Sequence, residues 1–341
     1  MSKQNRWFKL SITAVLSSAM MLASAHASAA KGAEGQYTKT LRVGYIVSVD
    51  SEVDKGANKF KELLEASTAG AVKVNLFPNA QLGGEVDMLK SLKEGVIDVV
   101  IAGDGILGPF LPEYQGLVLP FLIKDYGHMD RVYQGEVGKE INEVLMKKVN
   151  GRVTGYWHRG AKSVTANKPI STPKDLEGLK LRVVPSPLVV AAWKALGAST
   201  TPMSFQELFV ALQLGTVDAQ NNPLDLIYSA NFYEVQDYVI LTKDTYTPWA
   251  FITNDKLYQN FPADIKANFD DAFKAARDYQ NELVAESGDE YVKLLQEKNM
   301  KFVEPDRELF KSTLAGSGVL EAFKDKMAPN LFERIAALES D

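Results

Sequence analysis

Residues 96–102, VIDVVIA, constrain this chain more than any other stretch. The run is almost continuously apolar, with Gly95 before it and Gly103 after it, the pattern of a strand covered on both faces. Such a strand belongs in a parallel sheet with helices on either side, and the preceding residues supply both. Residues 41–46 (LRVGYI) read as a strand, then Val53, Ala57, Phe60, Leu63 and Leu64 recur at helical spacing. Residues 72–77 alternate as a second strand, and Val86, Leu89 and Leu92 form a second helical pattern after Gly83-Gly84. Strand–helix–strand–helix–strand at these separations predicts parallel strands joined by right-handed crossovers.

The same grammar restarts near Gly151. Residues 152–158 are strand-like, and Thr172 with Pro173 opens a short helix that stops at Gly178. Residues 179–184 form a strand in which Leu181 and Val183 alternate with Lys180 and Arg182. Ser186 and Pro187 start the next helix, and Ser204 with Glu207 makes a capping box for another. Residues 218–227 and 238–242 carry further strand and turn signals. A long helical pattern then runs over 264–298 through Ile265, Phe269, Phe273, Ala276, Leu283, Tyr291 and Leu294, with Ser287-Gly288 as a candidate kink. Two such units without a flexible linker imply two lobes packed across a shared cleft, at the carboxyl ends of the strands.

The first residues carry an address. Lys3, Arg6 and Lys9 precede an apolar stretch over 10–25, and Ala25-His26-Ala27 and Ala27-Ser28-Ala29 offer small-x-small cleavage sites. This order is that of a secretory signal peptide over 1–29, the apolar run being shorter than a membrane span needs. Its removal takes three positive charges, so the net charge of −5 becomes −8. The expected product is a soluble periplasmic protein, a compartment poor in nucleotides.

Composition excludes several chemistries. With no cysteine there is no disulfide framework, thiol nucleophile or zinc–cysteine site. His26, His128 and His158 are the only histidines, and none has metal-ligand spacing. The acidic balance gives no footprint for nucleic acid. Gly103-Asp104-Gly105-Ile106-Leu107-Gly108 matches GxGxxG, but Pro109 and Pro112 obstruct the helix a dinucleotide site requires, so a cleft-edge loop is expected, with Asp104 able to face a ligand. Gly316-Ser317-Gly318 lacks the spacing of a nucleophile elbow, and Asp270-Asp271 lie on the long helix as a solvated face. No catalytic residues emerge. Arg182, near the carboxyl end of its strand, has the chemistry to grip a carboxylate through two parallel hydrogen bonds; the pattern alone also permits a solvent-facing edge arginine.

Several runs together resemble the solute-binding proteins of tripartite ATP-independent periplasmic (TRAP) transporters, the DctP-type family. They are residues 77–85 (FPNAQLGGE), 119–122 (LPFL), 175–182 (DLEGLKLR), 194–198 (KALGA), 201–205 (TPMSF), 217–223 (VDAQNNP) and 232–236 (FYEVQ), in order over about residues 41–250. The resemblance implies an α/β two-lobed periplasmic binding protein fold, each lobe a mainly parallel sheet flanked by helices, with a long helix bracing both. Its lobes would be 40–158 with about 248–287, and 159–247 with about 288–341. It implies an organic-acid anion as ligand, whether a sugar acid, a C4-dicarboxylate or another small carboxylate, delivered to the small and large membrane subunits of a permease. The protein would be a monomer using no cofactor, with no residue singled out as a metal ligand and a metal bridging the bound acid left open.

By resemblance, Arg182 binds the substrate carboxylate, Asn222 lies in the cleft and Phe205 packs on the ligand. Tyr45, Asp104, Tyr246 and Trp249 border the site. Where members often carry a second arginine, this chain has Lys162, which keeps the charge without the planar fork. Arg159, three residues earlier, is expected to point elsewhere by strand alternation. The alternatives are a carboxylate-binding component of another importer or sensor, and an exported hydrolase or lyase.

Overall fold

The computed structural model describes residues 37–339, so the signal-peptide reading of 1–29 lies outside the described residues. Among the described residues, eleven strands form two sheets. The first holds β1 (Lys39–Tyr45), β2 (Val72–Phe77), β3 (Val99–Ala102), β4 (Gly151–Trp157) and β10 (Trp249–Asn254), in the order β2-β1-β3-β10-β4. The second holds β5 (Ser163–Ala166), β6 (Lys180–Val183), β7 (Ser199–Pro202), β8 (Ala219–Asn222), β9 (Tyr238–Ile240) and β11 (Lys301–Val303), in the order β11-β9-β5-β8-β6-β7. Each is flanked by helices, giving the two-lobed α/β arrangement.

Both sheets are mixed, for a topological reason. β1 pairs with β3, and β6 with β7 and β8, in parallel, as helix-linked crossovers require. The strands that enter from the other lobe run the other way. β5, which follows β4 across the interlobe gap, is antiparallel to β8 and β9; β10, which returns after β9, is antiparallel to β3 and β4. A strand arriving directly from the opposite sheet needs no covering helix. The chain therefore crosses between sheets at residues 158–162 and 241–248.

The third connection is the helix Ala263–Glu297, which runs without interruption through Ser287-Gly288. It serves both cores. Its Phe269 and Phe273 join Phe60, Phe251 and Trp157, with ring centroids 5.0–6.4 Å apart. Further along, Leu295 packs with Leu208, Leu212, Val217, Ile227, Phe232 and Val239 beneath the second sheet. Each such buried side chain contributes about 1.5–3 kcal/mol, so pulling the helix from either lobe is costly.

Local signals position the cleft walls. Ser186 accepts the Val189 N–H, with Pro187 in the first turn of the helix Pro187–Ala195. Ser204 donates from N and Oγ to Glu207 Oε2, ahead of the helix Leu208–Gln213. The GxGxxG loop forms a short 3-10 turn, Asp104–Ile106, then one helical turn, Leu107–Phe110. A Cβ at Gly108 would collide with the Pro185 carbonyl, so this loop meets the opposite wall directly. Ser48 Oγ also donates to Ser229 O across the gap, at 3.1 Å. The last helix, Leu331–Ala336, returns to the first lobe, where His128 Nε2 meets Ile335 O at 2.8 Å and Arg334 pairs with Glu140 at 2.7 Å. No described helix is long and apolar enough to cross a membrane.

Candidate functional site

Between the sheets lies a cavity of about 130 Å³ lined by Asp104, Arg159, Arg182, Phe205, Asn222 and Trp249, with Glu85, Ser204 and Gln206 beside them. Each strand end contributes one group. Asp104 follows β3, Arg182 sits on β6 opposite Thr201, Asn222 closes β8, and Trp249 opens β10.

Arg182 is almost fully buried, at 3% exposure. Its Nε and Nη2 both donate to Met203 O, at 3.1 and 2.8 Å. These bonds fix the plane of the guanidinium and leave Nη1 uncommitted. Among the described residues no carboxylate lies within ion-pair distance of it. Burial pushes its pKa down to about 10, which leaves it charged at neutral pH. A desolvated cation lacking a counter-ion, at the wall of a cavity, is a binding group for an anion.

The other two cations are already matched. Arg159 Nη1 donates to Asp104 Oδ1 at 2.8 Å, and Lys162 Nζ pairs with Asp104 Oδ2. Burial alone would raise the Asp104 carboxyl, but the charges of Lys162 and Arg159 outweigh it and hold the group well below the usual range. Burial lowers Lys162, with Asp104 opposing the change. Arg159 Nη2 also donates to Asn222 Oδ1 at 3.2 Å, and its guanidinium lies 4.5 Å from the centroid of the Trp249 ring. Asn222 Nδ2 in turn donates to Gln220 Oε1. Glu85, half-buried at the cavity wall, is pushed up by burial, an effect eased by the Gly103 N–H donated to its Oε1 at 2.5 Å.

The structure thus gathers Arg182, Asn222, Phe205, Asp104 and Trp249 around one cavity. Phe205 presents a ring backed by Phe232, 6.0 Å away. Three expected residues lie elsewhere. Lys162 sits behind Asp104 and does not line the cavity. Tyr45 is wholly buried and donates to Asp54 Oδ1 at 2.5 Å, while its neighbour Ile46 reaches the cavity. Tyr246 lines a different cavity, edge-on to Tyr126.

Arg159 is the main correction. Alternation along β4 would turn it away, but β4 ends at Trp157 and its pairing with β10 shifts register between Phe251 and Ile252. Residues 158–162 are a crossing segment without strand pairing, so alternation carries no information there. Glu85 and Gln206 were also absent from the expected site. Glu85 ends the FPNAQLGGE run, and its place at the start of the helix Glu85–Lys93 was the available signal.

Residues 43–317 match the family model DctP, described as bacterial extracellular solute-binding protein, family 7. The chain belongs to the DctP family. The solute-binding protein RD1_1052 of Roseobacter denitrificans is 36% identical over 297 residues, 87% of this chain and 88% of its own. The crystal structure of a TRAP periplasmic solute-binding protein from that organism, with bound L-galactonate, gives a TM-score of 0.82 at 33% identity, covering 90% of this chain and 100% of that one. The 2,3-diketo-L-gulonate-binding periplasmic protein YiaO of Escherichia coli is 32% identical over 84% of this chain and 87% of its own. A TRAP periplasmic solute-binding protein of Sulfurospirillum deleyianum with bound succinate gives a TM-score of 0.82 at 29% identity, covering 88% of this chain and 99% of that one.

Proposed function

We propose that this solute-binding protein works in the periplasm, captures a hydroxylated monocarboxylate of the aldonate type, and delivers it to the small and large membrane subunits of a TRAP permease. The observation that carries the reading is the charge balance of the cavity. Of three buried cations, Arg159 and Lys162 share the single Asp104 carboxylate, and Arg182 alone has no carboxylate within ion-pair distance among the described residues. One unpaired guanidinium calls for one carboxylate. A second carboxylate would meet Glu85 and Asp104, where a hydroxyl is the better partner because it donates to them. Ser204, Gln206 and the Asn222 amide supply further polar contacts, and Phe205 offers a face for the carbon chain.

Capture is by hinged closure. The acid docks on Arg182 in the second lobe, and Glu85 and Asp104 in the first lobe reach its hydroxyls. The closed arrangement is favoured because only it satisfies both sets of contacts. In this reading the lobes are 40–158 with about 248–287, and 159–247 with about 288 onward. Sheet membership supports the division, while the last helix docks back on the first lobe.

Calorimetry with galactonate, erythronate and succinate tests the assignment. The aldonates should bind at least about tenfold more tightly than succinate, a difference of about 1.4 kcal/mol. Succinate binding more tightly than both would refute it. Permease delivery is tested by uptake in cells with and without the membrane subunits: uptake that persists without them would refute that part.

A further inference from the structure

A second cavity, of about 230 Å³, shares no lining residue with the acid site. Its walls come from both lobes: Glu52 and Tyr126 from the first, Ser163 and Asp225 from the second, Ser287 and Tyr291 from the long helix. Two of these groups are buried carboxylates, Glu52 at 3% and Asp225 at 4% exposure. Neither has a cation within ion-pair distance among the described residues. Glu52 accepts a hydrogen bond from Ser287 Oγ, whereas Asp225 Oδ1 is buried without a hydrogen-bond partner, the backbone N–H groups of Leu226 and Asp225 only easing the burial of its carboxylate. Gly160, another lining residue, stands beside that oxygen: a Cβ there would lie 3.6 Å from it.

The nearby cations do not resolve this. Arg159 eases the burial of Asp225 through its charge, but its terminal nitrogens are committed to Asp104 and Asn222, and the charge of exposed Lys55 eases that of Glu52 without an ion pair. Lys243, at the rim, is exposed and unpaired among the described residues, and Asp289 adds further negative charge. Burial pushes both carboxyls upward, and for Glu52 the charge of Asp225 adds to it. A positive ligand would relieve both effects. The rings of Tyr126, Tyr246 and Tyr291 also line the space, and aromatic faces attract organic cations. A bare alkali ion would leave most of this volume unfilled.

We propose that this cavity binds an organic ammonium ion, its charged nitrogen between Glu52 and Asp225 and its alkyl part against the three tyrosyl rings. An occupant held by both lobes and the long helix would set the angle between them. The acid site therefore has a neighbour able to change its affinity, and coupling of that kind is reciprocal.

The test uses the purified full protein with propylammonium chloride as probe, followed by calorimetry and thermal shift. Equal concentrations of potassium chloride and of 1-propanol serve as controls. Saturable binding of propylammonium is expected, with neither control reproducing it. Glu52→Gln and Asp225→Asn should each weaken it by at least about tenfold. If either variant fails to fold, the comparison of the three probes on the unaltered protein decides the matter. A response to propylammonium no larger than that to potassium chloride, or unchanged in folded Glu52→Gln, overturns the proposal. Galactonate is measured separately, so its failure to bind would count against the acid site and not against this one.

Discussion

Replacing Arg182 by methionine should separate binding from stability. The lowering of its pKa from 12.5 to about 10 means that burial disfavours the charged form by about 3 kcal/mol. Methionine of similar length removes that penalty. It also strips Met203 O of the two donors at 3.1 and 2.8 Å, a loss of about 1–3 kcal/mol. The two terms nearly cancel, so the ligand-free variant should melt close to the parent. Binding has no such compensation. A carboxylate gripped by the fork gains two charge-assisted bonds of about 1.5–3 kcal/mol each, and losing both weakens affinity about 10²–10⁴-fold. Calorimetry with galactonate measures this directly, and differential scanning of the ligand-free pair supplies the stability half. A dissociation constant within about threefold of the parent would refute the reasoning. So would a collapse of the melting temperature, because Arg182 would then be a structural arginine.

Three further outcomes follow from the same geometry. Asp104→Asn leaves Arg159 and Lys162 without their counter-ion and should cost about 3–5 kcal/mol at neutral pH by urea unfolding. Because the folded carboxyl lies below its unfolded value near 3.8, this contribution is present above that pH and is lost as pH falls, so the gap between variant and parent should close in acid. Glu85→Gln should do the reverse: a carboxyl raised by burial destabilises the fold progressively as pH rises above about 4.5, so the variant should melt above its parent at pH 7–8 and equal it near pH 4. In the helix Glu136–Val149, Gly138→Ala should cost at least about 3 kcal/mol, since its Cβ would collide with the Tyr133 carbonyl; a fully stable variant would contradict the close approach of that carbonyl.

Features set by local patterns were readable in the chain. The apolar run ending at Ala102 became β3, the Ser186-Pro187 signal started its helix, and the long helix spans Ala263–Glu297 against an expected 264–298. Ser287-Gly288 reads as a kink in the sequence, yet the helix continues through it and the Ser287 hydroxyl answers Glu52, 235 positions away. The same limit applies at the cavity. Which cation stays unpaired is decided by Asp104, whose partners lie 55 and 58 residues along the chain. No spacing rule encodes that choice. Tyr45 belongs to a strand end as expected, yet strand alternation alone does not reveal that Asp54 claims its hydroxyl.

Residues 158–162 join the two sheets and also carry Arg159 and Lys162. A mutation there that retunes cargo preference also alters a segment that connects the sheets, so under the proposed hinged closure changes of taste by that route would be entangled with changes of mobility. Lineages adapting to new nutrients should instead vary Glu85, Phe205 and Gln206, which line the cavity outside the segments that join the two sheets.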